Sequence, residues 1–172
     1  MLYFFEGRIV MDNSEAKKEF SIWGLLISIG IAELVGVFSA LLSGNMTSGY
    51  SEMTQPPLSP PAIVFPIAWI ILYALMGTAA YLVYVKPDSE TRSRGLTLYA
   101  IQLAVNFSWS IVFFRFMALS VAYAIIALLC VLVVLCAENF GKESRLAGWL
   151  MLPYIIWLFF ALYLNAGVGV LN

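Results

Sequence analysis

The chain has 172 residues, of which 62% are hydrophobic, and a mean hydropathy of +0.92. A soluble domain of this size keeps too much surface to hide that much apolar side chain, so most of the chain must be solvated by lipid. The formal charge of −1 gives no footing for nucleic acid, and the absence of histidine removes the commonest metal ligand, haem ligand and general base, so no cofactor and no metal site is expected.

An N-terminal tail, residues 1–21, comes first and is expected to be cytoplasmic. Within it Glu6-Gly7-Arg8 can be encoded by a purine-rich stretch resembling a ribosome-binding site, which makes Met11 a candidate start. No cleavable signal peptide is evident, because the first apolar run is longer than a signal core and sits behind a charged tail. Five runs then approach the ~20 residues a membrane helix needs: Ile22–Leu42, Ala62–Val85, Leu96–Phe114, Met117–Cys136 and Leu146–Val168. The expected fold is all-α, a five-helix integral membrane bundle over residues 22–172. Orientation follows from the basic residues. Arg8, Lys17, Lys18, Lys86, Arg92, Arg94, Lys142 and Arg145 fall on one side and Arg115 alone on the other. This places the N-terminus in the cytoplasm of a multi-pass cell-membrane protein, with the first loop and the C-terminus outside.

The first span repeats a small residue every four positions, Gly24, Ser28, Ala32, Gly36, Ala40 and Gly44. Such a stripe lets helix backbones approach closely, either inside one chain or across a homodimer. Glu33 lies in the middle of the span, where an ionisable group is a functional hypothesis by default. It reads either as a proton-coupling carboxylate or as a protonated, hydrogen-bonded structural residue. The first loop, 43–61, carries Pro56, Pro57, Pro60 and Pro61. Pro60 and Pro61 suit the first turn of the second span. Pro56 and Pro57 stiffen the loop, as a lid over the mouth of the bundle or as a plain connector, and Pro66 is a candidate bend.

The second span places Phe65, Trp69, Tyr73 and Met76 on one face. The third does the same with Gln102, Asn106, Trp109 and Phe113, and the fifth with Pro153, Trp157, Ala161 and Asn165. Aromatic stripes in membrane helices often only pack. Two features point instead to an aromatic-walled ligand site: amides are costly in hydrocarbon without a partner, and three spans each bring a tryptophan away from the usual interfacial belt. Cys130 and Cys136 lie six apart, roughly 9 Å of helical rise, too far for a disulfide, and read as small buried hydrophobes.

The runs PPLSPPAIVFPIAWIILYALMGTAAYLVY, QLAVNFSWSIVFF and LPYIIWLFFALYLN resemble the translocator protein family, the TspO/MBR group that includes the peripheral-type benzodiazepine receptor, and suggest a bacterial member. The similarity covers roughly residues 22 to 166. It implies a five-helix bundle, often a homodimer, that binds tetrapyrroles such as protoporphyrin IX, isoquinoline carboxamides and benzodiazepines, with a role in tetrapyrrole regulation or stress response. The ligand-binding positions it implies are Tyr50, Pro56, Trp69, Gln102, Asn106, Trp109, Phe113, Trp157 and Ala161. Some bacterial members are associated with light- and oxygen-dependent porphyrin breakdown, in which Trp69 and Trp157 would take part. Two loop aromatics of the family are replaced here, by Gly49 and within Pro57-Leu58-Ser59-Pro60, and no basic residue follows Tyr163 to complete a sterol motif. Three readings result: a receptor for porphyrin-like ligands, a porphyrin-degrading enzyme, and a proton-coupled exporter using Glu33.

Overall fold

The computed structural model describes residues 2–5, 8–11, 19–44 and 53–172. In the tail, β1 (Leu2–Phe5) and β2 (Arg8–Met11) pair antiparallel, with Leu2 opposite Met11. The rest is all-helical: α1 (Ile22–Ser43), α2 (Val64–Tyr84), α3 (Glu90–Ser110, prolonged by a π-helical turn Ile111–Arg115), α4 (Leu119–Glu143) and α5 (Arg145–Leu171). All five are long and apolar enough to cross a bilayer. Lipid offers no hydrogen bonds, so each crossing must satisfy its own backbone, and the helix is the form that does so within one segment.

The helices close into a ring. α1 lies beside α2, α2 beside α5, α5 beside α4, α4 beside α3, and α3 returns to α1. Serines mark the starts: Ser21, Ser89 and Ser144 each accept a hydrogen bond from the backbone N–H three residues on. Ser144 ends α4 and opens α5, so a single residue makes that hairpin. Close to it the two helices nearly touch, since a Cβ on Gly148 would lie 2.9 Å from the Gly141 Cα. The α2–α3 connection is fastened by Arg92, which is buried. Its Nε and Nη2 donate to the Tyr84 carbonyl at 3.2 and 2.9 Å, and Nη1 pairs with Asp88.

The small-residue stripe of α1 packs on α2 of the same chain. Ser28 Oγ donates to the Gly77 carbonyl at 2.8 Å, Ala32 is fully buried, and methyls at Gly24 and Gly36 would strike the rings of Tyr81 and Tyr73. Both cysteines are free and buried. The prolines sit differently from expectation. α2 begins at Val64, so Pro60 and Pro61 lie ahead of the helix, and the Pro61 carbonyl accepts from the Val64 N–H at 2.9 Å. It is Pro66 that occupies the first turn. N–H groups there have no helical partner in any helix, so no bond is lost and nothing drives the expected bend.

At the end of the bundle where α1 finishes, the described part of the loop is clasped to α5. Met53 is buried in the core, and Thr54 and the Asn172 side chain exchange hydrogen bonds at 2.9 and 3.0 Å. Tyr163 donates its hydroxyl hydrogen to the Pro57 carbonyl at 2.8 Å, and Pro56 lies where a Cβ on Gly167 would meet it at 2.5 Å. Between them Pro56–Ser59 makes a turn closed by the Ser59 N–H and hydroxyl on the Pro56 carbonyl. Its third residue, Leu58, takes φ +63°, the left-handed conformation that a type II turn requires at that place, with Pro57 before it. The Leu58 side chain is 85% exposed and covers nothing.

Candidate functional site

Trp69, on the inner face of α2, is the hub of an aromatic cluster. Its ring centroid lies 5.6 Å from Tyr73, 6.1 Å from Tyr154 of α5, 6.4 Å from Trp109 of α3 and 6.5 Å from Trp157 of α5. Trp109 stacks on Phe113 at 5.4 Å, and Phe65 meets Trp157 edge-on at 5.9 Å. The structure therefore brings the three indoles named from the sequence into one cluster. The other two tryptophans, Trp23 and Trp149, are 72% and 68% exposed near the starts of α1 and α5, where an interfacial belt places them.

The π turn explains how α3 contributes two further rings. One extra residue in the turn brings both Phe113 and Phe114 against Trp109, at 5.4 and 6.1 Å. Turns of this kind recur at functional sites, and nothing in the hydrophobic pattern of α3 announces one.

The two amides of α3 are fully buried and differ in what they leave free. Gln102 is taken up at both ends: its Oε1 accepts from the Tyr154 hydroxyl at 3.1 Å, and its Nε2 donates to the Met76 sulfur at 3.8 Å. Asn106 donates through Nδ2 to the Tyr73 hydroxyl at 2.8 Å and keeps Oδ1 without a partner. The indole N–H groups of Trp109 and Trp157 and both amide atoms of Asn165 are likewise buried and have no partner among the described residues. Buried polar atoms are nearly always paired, so this group of donors and acceptors on α3 and α5 marks the inner faces as prepared for something polar. Asn165 was legible as part of the α5 face and is a functional candidate that the family motif alone did not single out. Ala161 is buried one turn before it. Pro56 lies on α5 at Gly167, and Tyr50 falls outside the described residues.

Trp69 packs against both other indoles, its ring centroid 6.4 Å from Trp109 and 6.5 Å from Trp157. A cavity of about 230 Å³ opens on the other side of Trp69, between α1, α2 and the end of α3, with Glu33, Gly36, Phe65, Tyr73 and Phe114 among its walls. Trp69 is thus the wall shared by the filled cluster and the open cavity.

Comparison with known proteins follows the same residues. The model of the TspO/MBR family matches residues 28–171. The tryptophan-rich protein TspO of Chlorobaculum tepidum is 33% identical over 150 residues, spanning 86% of this chain and 95% of its own. The translocator protein homolog of Schizosaccharomyces pombe is 35% identical over 148 residues, 82% and 90% of the two chains. The human translocator protein is 32% identical over 149 residues, 83% and 87%.

Proposed function

The chain belongs to the TspO/MBR family, and from that premise we propose that it is a membrane receptor for planar, mostly apolar small molecules. Porphyrins of the protoporphyrin IX type come first among these, with isoquinoline carboxamides and benzodiazepines as further ligands and tetrapyrrole regulation as the role. The observation that carries this reading is the aromatic cluster around Trp69, together with buried polar atoms that have no partner among the described residues.

The cavity beside Trp69 is smaller than the roughly 300–1,000 Å³ usual for drug-sized ligands. A macrocycle therefore enters by parting Trp69 from its neighbours and stacking in their place. That movement uncovers Asn106 Oδ1 as an acceptor and the indole N–H groups of Trp109 and Trp157 as donors, all toward the carboxyl groups at the ligand's edge. Each aromatic pair adds about 0.5–1.5 kcal/mol beyond burial, so several rings and a buried macrocycle reach micromolar affinity, about 8 kcal/mol. The Pro56–Ser59 turn, clasped to α5, caps this end of the bundle and limits the ordering entropy lost on binding. Lys86, Arg92, Arg94, Lys142 and Arg145 lie at the opposite end, at the α2–α3 and α4–α5 connections, which supports a cytoplasmic N-terminus and an external loop.

The test is a titration of purified protein with protoporphyrin, an isoquinoline carboxamide and a sterol. Saturable micromolar binding of the first two, with the sterol weaker, is expected. Sterol binding stronger than either refutes the assignment.

A further inference from the structure

The cavity on the α1 side of Trp69 has a chemistry of its own. Glu33 is the only Asp, Glu, Lys or Arg among the residues that line it. Its carboxylate has no ion pair and no hydrogen bond among the described residues. Three hydroxyls share the cavity walls: Ser39 donates to the Phe107 carbonyl at 2.9 Å, the Tyr73 hydroxyl accepts from Asn106 at 2.8 Å, and Ser110 is the third. Arg115, the basic residue at the end of α3, donates to the Leu42 carbonyl at 3.1 Å. An ionisable group at mid-membrane depth with no protein partner is costly to retain and is the mark of a site.

The remaining walls are those that suit an organic cation. Phe65, Trp69, Tyr73 and Phe114 share the cavity walls with Glu33, and aromatic faces attract cations. No Lys or Arg lines the space to hold an anion, and Glu33 would repel one. The volume of about 230 Å³ admits only a compact ligand. We infer that this cavity binds a small lipophilic amine, its protonated nitrogen paired with the Glu33 carboxylate and its apolar body against Trp69 and Phe65. Glu33 is then the residue that sets specificity for charge. The inference goes beyond porphyrin recognition, whose polar contacts lie on α3 and α5, and does not depend on it.

The experiment compares two probes of one shape, naphthylmethylamine and naphthylmethanol, by calorimetric titration of the full-length protein in a neutral detergent. A charge-assisted contact in a dry site favours the amine by about tenfold or more. Wild-type protein is expected to show that ratio, Glu33→Gln to bring it near one, and Glu33→Asp to keep the amine ahead. Ala40→Leu, which fills the cavity from α1, is expected to weaken both probes. A ratio near one in wild-type protein, or one unchanged in Glu33→Gln, overturns the inference even if another variant fails to fold. Protoporphyrin titrated against the same wild-type protein separates the two readings. Porphyrin binding without amine preference sinks only the Glu33 site, and amine preference without porphyrin binding sinks only the receptor assignment.

Discussion

Gly77 shows how little room single residues leave in this bundle. A methyl there would lie 2.7 Å from the Ile29 Cα and 2.9 Å from the Ser28 carbonyl oxygen. Both are backbone atoms that cannot rotate aside. Gly77→Ala must push α1 off α2 and weaken the Ser28–Gly77 hydrogen bond, and overpacking of this kind costs typically about 1–3 kcal/mol. Thermal melting in detergent should show a clear fall, larger than for an exposed change such as Leu58→Ala. Arg92 makes a second case. Arg92 is 6% exposed as a whole, and its guanidinium serves the carbonyl that ends α2. Arg92→Ala removes two charge-assisted hydrogen bonds from that carbonyl, at about 1.5–3 kcal/mol for bonds of this class, and should lower the melting temperature. Arg92→Lys should recover little, because an ammonium cannot reproduce the fork. The sequence marks Arg92 only as one of the basic residues that set orientation. Its burial depends on Tyr84 eight residues away, a relation that charge counting does not express.

Among the elements, the loop and α5 form one working unit. Gly167→Ala is compatible with helix, since alanine is the better helix former, yet its methyl would meet Pro56 at 2.5 Å. The variant should keep a melting temperature close to wild type while releasing the turn. Faster cleavage by an added protease within residues 53–61 and severalfold weaker porphyrin binding are expected. Unchanged proteolysis would show that the clasp does not hold the loop. The stiffness of this segment was legible from its prolines, but its anchor was not, because Tyr163, Gly167 and Asn172 lie more than a hundred residues away and carry no motif. The five crossings were legible because hydropathy and length are local. Their ends differ: the second span, read as Ala62–Val85, overshoots α2 at both ends, while the others stop short, most of all at Cys136, beyond which α4 continues to Glu143 through Glu138 and Lys142. Those charges pair on the exposed helix surface at 2.8 Å and so extend the helix past its apolar part. The π turn in α3 was illegible for the opposite reason: it changes backbone geometry without changing composition.

For the whole molecule, the ring order of the helices decides which faces meet. Spacing put Trp69, Trp109 and Trp157 each on one helix face, and the contact of α2 with α5 in the ring and with α3 across it brings them together. That spacing could not reveal Trp69 packed against both other indoles, with an open cavity toward α1 and Glu33, because cavity position depends on how five helices pack at once. The central claim is that these indoles receive a planar ligand. It is tested most directly by titrating protoporphyrin into wild-type protein and into Trp69→Phe/Trp157→Phe, following quenching of the tryptophans that remain. Two removed indole contacts at about 0.5–1.5 kcal/mol each should weaken binding by about tenfold. An affinity identical to wild type in the double variant would contradict the account.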